Sequence, residues 1–202
     1  MTEGMALSDR CFLGQWQVRR WLLLLLLTLV LPCCGPSPPA GPMVLNDFES
    51  EEDLTRIAWR CKTTFALREE YRDHGRQGLL MTLYPDPYPG VRLLLTPAQR
   101  QWQGYRYLAL AVFNPESEPM ALHYRIDDRA DPDYGDRVNG GFTLQPGENQ
   151  LRLDLIATRT SQSNRPLELH HIQSLLFFLS APVRPVAVGV DYIRLEKERA
   201  GD

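Results

Sequence analysis

Disulfide chemistry is what this 202-residue sequence can least support, since three of its four cysteines, Cys11, Cys33 and Cys34, fall within the first 34 residues. The remainder keeps Cys61 alone, which excludes an internal disulfide framework and leaves stability to core packing. Long apolar runs are scarce as well: the longest, "WLLLLLLTLVL", has eleven residues, against the ~20 that a membrane-spanning helix needs. No basic cluster interrupts a chain of net charge −3, so counterion release has no surface to act through and no nucleic-acid partner is expected. Catalytic signatures are missing too. There is no Gly-x-Ser-x-Gly elbow and no His-Glu-x-x-His, and the adjacent His170 and His171 would point to opposite faces of a strand. No ten-residue segment carries an amphipathic helical period, which excludes a helical domain.

What is present begins with a leader. Arg19 and Arg20 precede the apolar run and "PCCGPSPPAGP" ends it, the order of charged, apolar and breaker segments found in a secretory signal. Residues 1–34 are accordingly assigned to a leader, 35–42 to a proline-rich tether, 43–197 to one folded domain and 198–202 to a tail. The stretch Leu31-Pro32-Cys33-Cys34 resembles a bacterial lipoprotein box, in which small residues end at the cysteine that takes the lipid. Pro32 departs from that pattern. Cys34 is the better acceptor because the residue before it is small. The resemblance implies an exported, membrane-anchored lipoprotein facing the periplasm or cell surface; a soluble secreted chain is the alternative.

Beyond the tether, nearly every apolar segment alternates with period two and is closed by turn residues. Candidate strands are "MVLNDFE", "RIAWRCK", "LLMTLY", "VRLLL", "YRYLALAVF", "PMALHYRID", "GGFTLQ", "NQLRLDLIA", "SLLFFLS" and "VAVGVDYIRLE". Their separators, "PDPYPG", "NPESEP" and "QPGEN", combine fixed-φ proline with permissive glycine. About ten short strands at this spacing predict an all-β chain folded as a two-layer antiparallel β-sandwich or jelly roll. In "IAWRCK" the alternation assigns Cys61, with Ile57 and Trp59, to the buried side of a strand.

The order "LNDFES", "HGRQGLLMTLY", "WQGYRYLALAVFNP", "DRVNGGFTLQPGENQLRLDL", "VGVDYIRLE" resembles the galactose-binding-like jelly rolls found among carbohydrate-binding modules, over residues 43–197. The resemblance implies a non-catalytic module that binds a saccharide such as a cell-surface polysaccharide. An interaction or assembly domain of the same fold, with an envelope protein as partner, is the second reading. A glycoside-active enzyme is the third, with Glu49 and Asp127, or a pair from the acidic loop, as acid and base. In such modules the first and last strands lie side by side. That implies a structural calcium held by Glu49 and Asp191, with Asp47 as a further ligand and carbonyls from the "RDHGRQG" turn.

The stretch "IDDRADPDYGDRVNGGF" concentrates Asp127, Asp128, Asp131, Asp133 and Asp136. It fails as an EF-hand, because counting from Asp131 the third ligand position holds Gly135 and the twelfth holds Phe142. Solvated turn, rim of a binding site and loosely held cation all remain open. Strand parity supplies the candidate ligand face. "PMALHYRID" directs Met120, Leu122, Tyr124 and Ile126 inward and His123, Arg125 and Asp127 outward. "NQLRLDL" exposes Arg152 and Asp154, and "YRYLALAVF" exposes Tyr107 beside the small Ala109 and Ala111. The expected site is a shallow groove in which these charged residues bind hydroxyls, Tyr107 stacks on a sugar ring, and Trp102 and Tyr134 close the rim. A face whose charges merely pair with one another is the alternative.

Overall fold

A computed structural model describes residues 41–59 and 61–198, within one compact unit spanning Pro39–Asp202. Among the described residues eleven strands form two sheets, all of their pairings antiparallel: β1 (Met43–Asn46), β2 (Ile57–Trp59), β3 (Thr63–Arg68), β4 (Gly78–Leu83), β5 (Gly90–Leu93), β6 (Tyr107–Asn114), β7 (Met120–Asp127), β8 (Val138–Leu144), β9 (Gly147–Asp154), β10 (Ser174–Phe178) and β11 (Val186–Glu196). The first sheet runs β3-β4-β11-β6-β9, with β1 also paired to β11; the second runs β2-β5-β10-β7-β8. This is the two-layer jelly roll that the alternation predicts. The first and last strands do lie side by side, Met43 opposite Leu195.

Alternation fills the space between the sheets. Leu108, Leu110 and Val112 of β6 and Val188 and Val190 of β11 meet Leu122, Tyr124 and Ile126 of β7 and Leu175 and Phe177 of β10 in one buried cluster. Trp102 is fully buried and donates its indole N–H to the Gln99 carbonyl at 2.7 Å. A bulge interrupts the period in β11, where pairing with β6 shifts between Asp191 and Arg194. Tyr192 there adopts φ 47°, so Val190 and Ile193 both reach the core while Asp191 and Tyr192 between them meet the turn at Asp73 and His74.

Two local features differ from the sequence expectation. Cys61 lies in the turn after β2, half-buried, with its Sγ 3.3 Å from the Asp86 carboxylate, because β2 ends at Trp59. A one-turn helix, α1 (Glu51–Thr55), follows β1. The Asp53 carboxylate accepts both the N–H and the hydroxyl of Ser50 at 3.0 Å, which fastens its start.

Candidate functional site

The strand register of the second sheet sets out its outer face in rows. One row runs Gly90, Phe178, His123, Gly141; the next outward row runs Arg92, Leu176, Arg125, Asn139. The intervening residues, Val91, Phe177 and Tyr124, belong to the core. Over these rows lies a cleft of about 670 Å³, lined by Tyr88, His123, Arg125, Tyr134, Arg137, Asn139, Gly140, Leu176, Phe178 and Ser180. Its floor is aromatic: the His123 and Phe178 rings stack at 5.5 Å, and Tyr88 meets Phe178 edge-on at 6.0 Å. Gly141 keeps that floor open, since a Cβ there would stand 3.2 Å from the His123 imidazole. Tyr88 enters from the β4–β5 turn and Tyr134 from the β7–β8 loop, and both are more than half exposed.

Polar groups in the cleft are partly committed. Arg125 donates Nε to Asp127 at 2.8 Å and holds its other oxygen through Nη2 at 2.7 Å. Asp127 is buried beneath it. Arg137 donates Nε to the Pro132 carbonyl at 2.9 Å, and no hydrogen bond among the described residues takes its terminal nitrogens.

The acidic stretch acts as a clamp. Arg165 binds both oxygens of Asp128, at 2.6 and 2.7 Å, and donates Nε to Asp136 at 2.7 Å. Asp136 also accepts Ser163 and Arg129. The Arg165 and Ser163 hydrogen bonds hold the Asp136 carboxyl down at about 2. Burial pushes Asp128 upward, but the Arg165 hydrogen bonds overcome it and the net direction is down. Backbone bonds from Gln162 and Ser163 to Gly135, and from Ser161 to Arg137, complete the fastening. The clamp thereby fixes the segment that presents Tyr134, Arg137 and Asn139. Asp131 and Asp133 stay exposed on the loop.

Of the residues expected to share one groove, the structure joins only some. His123, Arg125 and Tyr134 line the cleft, and Asp127 supports it from below. Tyr107, Arg152 and Asp154 lie on the other sheet, on the opposite face of the sandwich, because β6 and β9 pair with β11 and not with β7. There Arg152 covers the Tyr107 ring at 3.8 Å and reaches Glu196 at 3.1 Å, Arg194 meets Glu196 at 2.7 Å, and Asp154 takes Arg106 at 2.8 Å. That is the charge-paired face given above as the alternative. Ala109 and Ala111, expected to open a groove, are buried; Ala109 sits in register between Arg194 and Arg152. Trp102 is core and not rim. The cleft also takes Phe178, Leu176, Tyr88, Arg137 and Asn139; the alternation of "SLLFFLS" turns Leu176 and Phe178 away from Leu175 and Phe177, whereas Tyr88, Arg137 and Asn139 carry no comparable signal.

Glu49 and Asp191 converge on one turn, through its amides. The Asp191 carboxylate is fully buried and accepts the N–H of Asp73 at 2.6 Å, His74 at 2.9 Å and Tyr192 at 2.7 Å. Burial raises its pKa to about 6 against the lowering effect of those three bonds. Glu49 accepts the N–H of Arg76 at 2.8 Å and Gln77 at 3.2 Å, which carries its carboxyl downward despite desolvation. Calcium needs six to eight oxygens. The turn offers these carboxylates hydrogens in place of oxygens, no hydrogen bond among the described residues joins Asp47 to it, and no group of three metal-ligating side chains is found among them. The donor set as arranged does not fit the cation.

No family model matches the sequence, and no curated protein does. Among solved structures, the chain is similar to the family 11 carbohydrate-binding module from Clostridium thermocellum in complex with a β-1,3-1,4-mixed-linked tetrasaccharide, at TM-score 0.60 and 15% identity over 79% of this chain and 98% of that one. It is also similar to a xylan-binding domain of family 22 from Paenibacillus barcinonensis, at 0.53 and 17% over 81% and 100%. An exo-β-agarase matches at 0.59 and 11%, over 78% of this chain and 26% of the agarase. The fold is therefore the β-sandwich jelly roll of these carbohydrate-binding modules.

Proposed function

We propose that this chain is a non-catalytic carbohydrate-binding module whose saccharide site is the outer face of the second sheet. The observation that carries the reading is the cleft itself, where the Phe178–His123 stack and the Tyr88 and Tyr134 rings alternate with Arg125, Arg137 and Asn139. Sugar rings offer apolar faces to aromatic side chains and hydroxyl edges to such donors. A protein-docking surface would favour a continuous apolar patch, which this alternation interrupts. Glycoside hydrolysis needs two carboxyl groups flanking the scissile bond. The described lining residues include no carboxylate, and Asp127 beneath them is taken up by Arg125. The fold shared with saccharide-binding modules supports the same reading.

Export and lipid attachment at Cys34 belong to the proposal and rest on the leader residues, which lie outside the described ones. The test is a glycan panel probed with the full chain in mild detergent, followed by two substitutions. Phe178→Ala should weaken retention on any polysaccharide that binds by about tenfold or more, as for loss of a buried aromatic anchor. Tyr107→Ala, on the opposite sheet, should leave it unchanged. Retention that follows Tyr107 and ignores Phe178 would move the site to the other face.

A further inference from the structure

We infer that the saccharide this cleft accepts is an anionic one, carrying carboxylate or sulfate groups. The inference rests on the carbohydrate-binding reading above and adds the ligand's charge. A chain of net charge −3 has a cleft whose described lining contains two arginines and no aspartate or glutamate.

Several arginines outside the cleft are matched to carboxylates, Arg106 with Asp154, Arg184 with Glu116, Arg194 with Glu196, and Arg165 with Asp128 and Asp136, while Arg56, Arg72 and Arg159 bond backbone carbonyls. Arg137 sits in the most acid-rich loop of the chain, yet it donates Nε to a carbonyl and takes part in no ion pair among the described residues. Its neighbour Asp136 is turned instead to Arg165 and Arg129. Arg125 is half-neutralised, because Asp127 occupies its Nε and Nη2 edge, and no hydrogen bond among the described residues takes Nη1. Arg92, in the same row across Leu176, is exposed and likewise takes part in no ion pair among the described residues. The row Arg92, Leu176, Arg125, Asn139 with Arg137 beside it thus presents cationic forks at the edge of an aromatic floor.

A guanidinium fork matches carboxylate and sulfate oxygens two at a time, whereas a neutral hydroxyl uses only one of its donors. The exposed Asp131 and Asp133 lie on the rim loop and do not line the cleft. Among the described lining residues the arginines Arg125 and Arg137 carry the permanent charges that a bound ligand meets.

The experiment compares matched pairs on one backbone. Oligogalacturonate is set against its full methyl ester, and a sulfated galactan against its desulfated form, with the full chain and isothermal titration in low and high salt. The expected result is affinity about tenfold higher for the charged member of at least one pair, falling as salt rises. Which pair responds distinguishes carboxylate from sulfate. Arg137→Gln should remove most of the difference, the charged member losing more affinity than the neutral one, while Arg137→Lys, which keeps the charge, should retain part of it. Near-UV circular dichroism of both variants reports whether the fold persists. Equal or tighter binding of the neutral members, or salt-independent binding, overturns the anionic inference and leaves the carbohydrate reading standing. Binding of no glycan, charged or neutral, overturns both.

Discussion

At the scale of single residues, two carboxylates with opposite environments govern how the molecule responds to pH and substitution. Asp128, with its side chain 1% exposed, is held by the Arg165 fork. Removing Arg165 leaves that charge buried without a partner, so Arg165→Ala should destabilise the fold by about 3 kcal/mol in urea unfolding and loosen the segment bearing Tyr134 and Arg137. Asp136 titrates at about 2 in the folded chain, below the ordinary ~3.9. Its contribution is present above the ordinary value and disappears as pH falls through the folded one, so the clamp should hold at pH 4 and fail near pH 2. Asp191 has the reverse sign, because its folded value lies at about 6. Stability from this group is full below about pH 4 and is lost as pH rises through 6, by up to about 1.4 kcal/mol per pH unit within that window. Urea midpoints of the native chain should therefore decline from pH 4 to 7, and Asp191→Asn should flatten that slope. An unchanged slope in the variant would assign the decline elsewhere. The sequence marked the acidic stretch but could not pair it, since Arg165 lies some thirty residues downstream in a segment without strand periodicity.

Within elements, parity was readable and sheet membership was not. "PMALHYRID" gave the inward and outward sides of β7 as they stand, with Leu122, Tyr124 and Ile126 buried. The same rule correctly turned Tyr107, Arg152 and Asp154 outward. It could not say that outward from β6 and β9 is the far side of the molecule from outward of β7, because successive strands β6 and β7 belong to different sheets. Alternation records the side of a strand, while the partner of a strand is set by long-range pairing. The bulge at Asp191–Tyr192 was hidden for a related reason: Tyr192 adopts a left-handed φ without glycine to announce it. Gly141 gives a test at this scale. Gly141→Leu would place a side chain beside the His123 imidazole on the cleft floor, so ligand retention should fall by about tenfold with little change in the urea midpoint. Unaltered retention would mean that sugars do not reach the Phe178–His123 stack.

For the whole molecule, the jelly roll was legible from period and turn chemistry, and its likeness to saccharide-binding modules follows from the arrangement of two sheets about one core. The cation implied by that resemblance was not legible in the same way. Acidic residues at the right places in sequence, Glu49 and Asp191, are engaged by the amides of the 73–77 turn. The melting temperature should accordingly be the same with millimolar calcium and with chelator; a rise of several degrees in calcium would restore the metal to this turn. For the leader, Cys34→Ser should abolish incorporation of labelled fatty acid in cells, and continued labelling would place the lipid on another residue.

The proposed site has a saccharide lying across β5, β10, β7 and β8. Its most direct test is a titration of the isotope-labelled full chain, in detergent, with the polysaccharide fragment that binds best, followed by amide chemical shifts. The largest changes should fall at His123, Arg125, Asn139 and Phe178, with Tyr107, Arg152 and Asp154 unmoved. Shifts concentrated on β6 and β9, or none at saturating ligand, would contradict it.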